Sequence, residues 1–186
     1  MGISVGYQFA EGSQFEYRSR PESFVAPYLV DTGKVDADQA GLYGLEAIFK
    51  DGPFTVMGEV AQTHLKGSSQ LNTFWGGYVS AGYFLTGEQR GYDKTTASLV
   101  GTLKPNQDFS WKDRTWGALE VAARYSYVDL TSGAVLGGRM AIGMAGLNWY
   151  WNRYLRWQFN AGYASVTGGP SPGNLYILQA RLQMTF

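Results

Sequence analysis

The sequence predicts an all-β fold, an antiparallel transmembrane β-barrel of about nine strands that is part of a larger barrel. Three observations carry this. The first is the run from Asn174 to Phe186. Tyr176, Leu178, Ala180, Leu182, Met184 and Phe186 are apolar or amphipathic, while Gln179, Arg181, Gln183 and Thr185 between them are polar. A period of two sends the sets to opposite faces of a strand. In water a long strand with a free apolar tip invites aggregation, whereas a barrel wall meets lipid on one face and a wet lumen on the other. The second is composition. Of 186 residues, 45% are hydrophobic, 16% are aromatic and 25 are glycine, yet no stretch approaches the ~18 apolar residues of a membrane helix. The third is the segregation of charge to one strand face. The competing architecture is a soluble β-sandwich, which the length and regularity of the alternating segments disfavour.

In chain order, alternation and turn residues place strands near Gly2–Ala10, Gln14–Arg20, Gln39–Lys50, Pro53–Leu65, Thr73–Thr86, Trp116–Asp129, Gly138–Trp151, Tyr154–Val166 and Asn174–Phe186. Asp51-Gly52 and Asn152-Arg153 are tight joints, the first because Asp-Gly between alternating runs signals a hairpin. Lipid-facing positions include Leu45, Ala47 and Phe49; Val56 and Val60; Val79, Ala81, Tyr83 and Leu85; Leu119, Val121, Ala123, Tyr125 and Tyr127. They continue through Leu147, Trp149 and Trp151 to Leu155, Trp157, Phe159, Ala161 and Tyr163, with no charged residue within these sets. The opposite parity carries Glu16, Arg18, Arg20, Glu46, Glu59, Glu120, Arg124, Arg156 and Arg181. Aromatics at strand ends form a candidate interfacial girdle: Phe49 and Phe54 at one turn, Trp149, Trp151, Tyr154 and Trp157 at the other, and Phe186. Ordinary packing of large side chains is the alternative.

Short turns of such barrels are periplasmic and longer loops outer. Both tight joints, the Ala10–Ser13 turn and Phe186 are therefore expected on the periplasmic side. Segments 21–37, 67–72, 130–137 and 167–173 are expected as outer loops, and the long segment Gly87–Thr115 as periplasmic. A segment of that length is usually functional or disordered; folding inward as a plug or constriction is one use for it, a solvated loop another. With nine strands the first runs toward the periplasm, which puts Met1 on the outer side and leaves an odd count. Strands before Met1 are the expected remedy. Met1 to Phe9 also lacks a positive region and a continuous apolar core. The chain is thus expected to be a mature form or a piece of something longer.

Fifteen basic and fifteen acidic residues cancel. No global field steers the chain to nucleic acid, and none is expected as a partner. The absence of cysteine excludes disulfides and thiolate metal sites. His64 is the single histidine, so a multi-histidine metal site is impossible, and no cofactor is expected. By parity His64 faces lipid near the outer rim, followed by Ser68 and Ser69, but no nucleophile motif surrounds it. Lipid hydrolysis is the weakest of the functional readings, and the chain is not expected to be an enzyme. Asp31, Asp36 and Asp38 lie in an outer loop, either solvated or touching cations that bridge lipopolysaccharide.

Several motifs, in order, resemble the phosphate-selective porin O/P family. They are Phe15-Glu16-Tyr17-Arg18-Ser19-Arg20-Pro21-Glu22 with Val30-Asp31-Thr32-Gly33, Gly52-Pro53-Phe54 with Gly58-Glu59-Val60, and Gly82-Tyr83-Phe84-Leu85-Thr86-Gly87-Glu88. Trp116-Gly117-Ala118-Leu119-Glu120-Val121-Ala122-Ala123-Arg124-Tyr125-Ser126 and Gly146-Leu147-Asn148-Trp149-Tyr150 complete the set. The likeness is to the family's C-terminal half. It implies a 16-stranded outer-membrane barrel, assembled as a homotrimer among lipid and lipopolysaccharide, that passes small anions by passive diffusion. Pore-lining cations in this chain would be Arg18, Arg20, Arg124, Arg156 and Arg181, with Glu46, Glu59 and Glu120 as pore-lining acids. Lys94, Lys104, Lys112 and Arg114 would extend the basic path through a constriction segment. A guanidinium suits a phosphate oxyanion because its donors are paired and its charge is permanent. The alternative for each arginine is a wall ion pair with a neighbouring glutamate. The alternative for the whole is a non-conducting structural or assembly barrel that binds a partner.

Overall fold

The computed structural model describes residues 1–9, 14–67 and 70–185. The strands in chain order are β1 (Gly2–Phe9), the two-residue strands β2 (Gln14–Phe15), β3 (Arg18–Ser19), β4 (Val30–Asp31) and β5 (Val35–Asp36), and the long strands β6 (Gln39–Asp51), β7 (Phe54–Lys66) and β8 (Leu71–Phe84). The short β9 (Tyr92–Asp93) and β10 (Ser98–Leu99) follow, then β11 (Ala118–Ser132), β12 (Val135–Tyr150), β13 (Leu155–Thr167) and β14 (Gly173–Met184). No helix occurs among the described residues. The longer strands form one eight-stranded antiparallel sheet in the order β1-β6-β7-β8-β11-β12-β13-β14. The sheet is open: β1 and β14 each pair on one side only.

Among the described residues the sheet holds eight strands, where about nine were expected. Gln14–Arg20 does not cross the sheet; β2 pairs with β5 and β3 with β4 in two small ladders. The first strand is also reversed relative to expectation. Gly2 pairs with Glu46 and Phe9 with Gln39, so β1 starts toward the end of the sheet that holds the Asp51–Phe54 turn. That end is the tight-turn end; the opposite one is the far end. The expected Ala10–Ser13 turn and Phe186 lie outside the described residues.

The tight turns follow local chemistry. Asp51 pairs with Phe54, so the two-residue turn is Gly52-Pro53, one residue later than expected. Gly52 takes φ 53° at the position where a type II′ hairpin turn requires glycine. At the second turn Asn152 Oδ1 accepts from the backbone N–H of Tyr154 at 2.8 Å and of Leu155 at 2.9 Å, an Asx-type closure. The expected loop 130–137 shrinks to Gly133-Ala134, because Ser132 and Val135 still pair beyond a bulge at Asp129/Thr131.

The two faces differ sharply. One carries Ile3, Val5, Leu45, Phe49, Val60, Val79, Tyr83, Val121, Tyr125, Leu147, Phe159, Tyr163, Leu178 and Leu182, all exposed. Against the other face pack the two long connections. At the far end, residues 14–38 supply Val30, Val35 and Ala37 to a core with Ala40, Leu65, Phe74, Leu130, Met140, Ile142, Ala164, Val166 and Ile177. At the tight-turn end, Leu103 joins Phe84, Ala118 and Tyr150. The bare face thus has the parity expected for lipid contact, and a connection packs against each end of the covered face.

Candidate functional site

Between the two apolar clusters the covered face is polar. In-register pairing lays its side chains in rows across the sheet. One row runs Glu46, Glu59, Tyr78, Ser126. Nearer the tight-turn end another runs Glu120, Asn148, Gln158, Arg181, and beside it lies Tyr150, Arg156, Gln183. Arg124 stands one row on the tight-turn side of Ser126. Alternation alone brings these residues to one face, and that is where the sequence places Arg124, Arg156, Arg181, Glu46, Glu59 and Glu120.

Glu120 is the most buried of them, at 2% exposure. Arg90 reaches it from the connection between β8 and β11. Arg90 Nη2 donates to Glu120 Oε2 at 2.6 Å and to Oε1 at 2.8 Å, and Nε donates to Oε1 at 3.0 Å. Asn148 Nδ2 donates to Glu120 Oε2 at 2.9 Å, and Gln158 Nε2 donates to Asn148 Oδ1 at 3.1 Å. Burial works against the Arg90 charge, but Tyr150 and Glu120 together more than offset it, and its pKa lies above the ordinary guanidinium value. The same connection buries Glu88, whose Oε1 accepts from the Asn106 N–H at 3.0 Å and whose Oε2 accepts from the Thr86 hydroxyl. Lys94, Lys104, Lys112 and Arg114 all stay exposed on this connection. Arg90, which sequence reasoning passed over, is the cation that enters.

Arg156 is held without a carboxylate. Its Nε and Nη2 donate to Gln183 Oε1 at 3.1 and 2.7 Å, and Nη1 donates to Tyr150 Oη at 3.2 Å. Arg181 lines a cavity of about 820 Å³ with Gln158, Asn160, Gln179 and Glu22. The ion pairs among the described residues are Arg18–Glu16, Arg90–Glu120, Arg124–Glu22 and Arg139–Asp129. Arg156 and Arg181 are in none of these, so they leave fixed positive charge on the covered face. Glu46 and Glu59, directly opposite each other, leave fixed negative charge nearer the far end.

Arg18 and Arg20 sit on the far-end connection rather than on a crossing strand. Their guanidinium carbons lie 4.2 and 4.4 Å from the centre of the Tyr28 ring, within cation–π range. Arg18 Nη1 is 3.3 Å from Glu16 Oε1. Arg20 Nη1 donates to the Phe24 carbonyl at 2.6 Å, while its buried Nε has no partner. Arg124 meets this connection: its Nε donates to Glu22 Oε1 at 2.8 Å. Tyr17 anchors the same connection beside Phe74; burial raises its phenol pKa, and a Thr63 hydrogen bond lowers it less.

His64 is on the bare face, with Nδ1 2.9 Å from Thr73 Oγ1 and its ring edge-on to Tyr43. Ser68 and Ser69 lie outside the described residues. Of the far-end acids, Asp31 Oδ1 accepts from the Gly33 N–H at 2.7 Å and Asp36 Oδ1 from Gln14 Nε2 at 3.3 Å. At the rim of the tight-turn end, Phe109 stacks on Trp151 at 5.0 Å and meets Trp149 and Trp111 edge-on at 5.3 and 5.2 Å. Trp149 and Trp151, two of the residues named for a girdle, are thus packed at one rim with Phe109 and Trp111.

The family model for phosphate-selective porin O and P matches residues 10–186. A protein of Caulobacter vibrioides, described as uncharacterized, is 30% identical over 181 residues, which cover 91% of this chain and 35% of the relative. The chain therefore spans about a third of the length of the curated relative it matches.

Proposed function

Because the chain belongs to the phosphate-selective porin O and P family, we propose that it forms part of the wall and lumen of an outer-membrane porin for passive diffusion of small anions, phosphate foremost. The bare face meets lipid and lipopolysaccharide, the tight-turn end faces the periplasm, and the assembled barrel is a homotrimer. The carrying observation is the pair Arg156 and Arg181. Glu120 is engaged by Arg90, and the groups bonded to Arg156 are a neutral amide and a phenol. Arg156 is held in place but not neutralised, Arg181 is exposed on the same face, and such charge attracts an anion into a low-dielectric cleft, where the surrounding walls focus its field. Amides around it replace part of the anion's hydration, and weak binding at several sites allows release.

Planar-bilayer recording of the protein under a KCl gradient tests this reading. R156A and R181A are each expected to move the reversal potential toward cation preference and to weaken block of chloride current by phosphate. Reversal potentials identical to wild type would sink it. The second reading, a plugged barrel that binds a partner, draws on the apolar packing of residues 14–38 at one end and of Leu103 at the other. It predicts no conductance from protein that has inserted.

A further inference from the structure

Arg124 and Ser126 are two residues apart on β11 and share its covered face. Arg124 Nε donates to Glu22 Oε1 at 2.8 Å, and Ser126 Oγ donates to the same oxygen at 2.7 Å. One carboxylate oxygen thus takes a charge-assisted bond and a hydroxyl bond, the arrangement in which a phosphate oxygen is held. The receiving half is built on the sheet and needs no help from Glu22. Its guanidinium carbon lies 3.6 Å from the centre of the Tyr78 ring, and cation–π contact orients it. The occupying half is on a connection, and its backbone is strained. Glu22 has φ 53°, a left-handed conformation that a residue with a β-carbon adopts only when its surroundings impose it.

Pro21 and Ser23 on either side are buried, and the Glu22 N–H donates to the Arg20 carbonyl at 2.9 Å. From the sheet, beyond Arg124 and Ser126, Gln179 Nε2 donates to the Glu22 carbonyl at 3.4 Å. The next residues along, Phe24 and Val25, are each 95% exposed. Glu22 and Arg124 keep 25% and 35% side-chain exposure, so a solute can reach them. The cavity at this point, about 360 Å³, is also lined by Arg20 and Glu59. Arg20 Nε is a buried donor without a partner.

We propose that Glu22 is a resident carboxylate occupying an oxyanion site made by Arg124 and Ser126, and that a permeating phosphate displaces it and frees the tip around Phe24. The site is thereby self-occupied until an anion of comparable charge competes. Glu59, in the same cavity, repels that anion and keeps its stay short. The idea rests on the anion-passing reading and adds to it a competition that the reading alone does not contain.

Cysteine is absent from the chain, so A26C, at a half-buried position of the same tip facing β14, takes a single nitroxide label. In detergent micelles at constant ionic strength, orthophosphate is expected to mobilise the label in otherwise wild-type protein. E22Q is expected to show the mobile spectrum without phosphate and to bind orthophosphate about tenfold more tightly by calorimetry, a gain that S126A removes. Equal phosphate affinity in wild type and E22Q, with an immobile label throughout, would overturn the latch. If planar bilayers still show anion preference that depends on Arg156, the porin reading survives that failure. If no anion preference exists, both fall.

Discussion

Glu120 shows what decides the role of a charged residue on this face. Its carboxylate is nearly inaccessible, and a β-carbon at Gly82 would approach its Oε1 to 2.8 Å; the glycine leaves room for it. A buried carboxylate is tolerable only while its bonds are complete. R90M removes the paired guanidinium and leaves Glu120 charged among Asn148 and Tyr150. The expected loss is about 3–5 kcal/mol, read as a lower temperature in heat-modifiable electrophoresis. R90M/E120Q is expected to recover much of it, since no buried charge then remains. If R90M melts like wild type, the Arg90–Glu120 pair does not anchor the connection. The inward parity of Glu120 was legible in the sequence; its partner was not. Arg90 stands between Gly87 and Gly91 in a stretch with no alternation to give it a face, 30 residues from Glu120. The same holds for Glu22 and Arg124, 102 residues apart, and for the neutral partners of Arg156.

At the scale of elements, period-two alternation gave the sheet strands their faces, and the bare face of the structure repeats them. Alternation misled at Gln14–Arg20. Phe15 and Tyr17 pack against the far-end core while Glu16 and Arg18 are exposed. A ladder covering a sheet has the same pattern as a strand within it. Alternation reports which side is buried, not what buries it. Removing that strand also turned β1 around and leaves eight strands in the sheet among the described residues. Tyr17 is the element's testable anchor. Its folded pKa is raised by burial, so its contribution is complete below the ordinary phenol value of about 10 and is lost as pH rises through the higher folded value. Thermal stability in detergent is therefore expected to fall in that alkaline window. Y17F, which keeps the ring but cannot ionise, is expected to lessen the fall; an unchanged alkaline profile in Y17F would remove Tyr17 from this role.

The whole molecule depends on which solvent meets each face. On β11, the outward positions from Leu119 to Tyr127 are free of charge and span about 27 Å along the strand. At a tilt of about 40° that is about 21 Å of height, near the ~25 Å apolar band of an outer-membrane barrel. At the far end the band stops at Asp129 and Arg139, paired at 2.8 Å on the same face. At the other end it stops among Trp149, Trp151, Phe109 and Trp111. Adjacent residues of β13 make the comparison direct. Ala161, exposed on the bare face, pairs with Ala145 and Leu178; Asn160, on the covered face, pairs with Gly146 and Gln179. A lysine at the bilayer midplane of a barrel costs about 2–4 kcal/mol, whereas one facing a wet lumen costs little. In lipid vesicles A161K is therefore expected to lower the folding free energy by about 2–4 kcal/mol and N160K by under about 1 kcal/mol, measured by urea titration of tryptophan fluorescence. Were the bare face wetted by water, the exposed lysine of A161K would be tolerated at least as well as that of N160K. Equal stability of the two variants would then refute the membrane-facing assignment of the entire sheet.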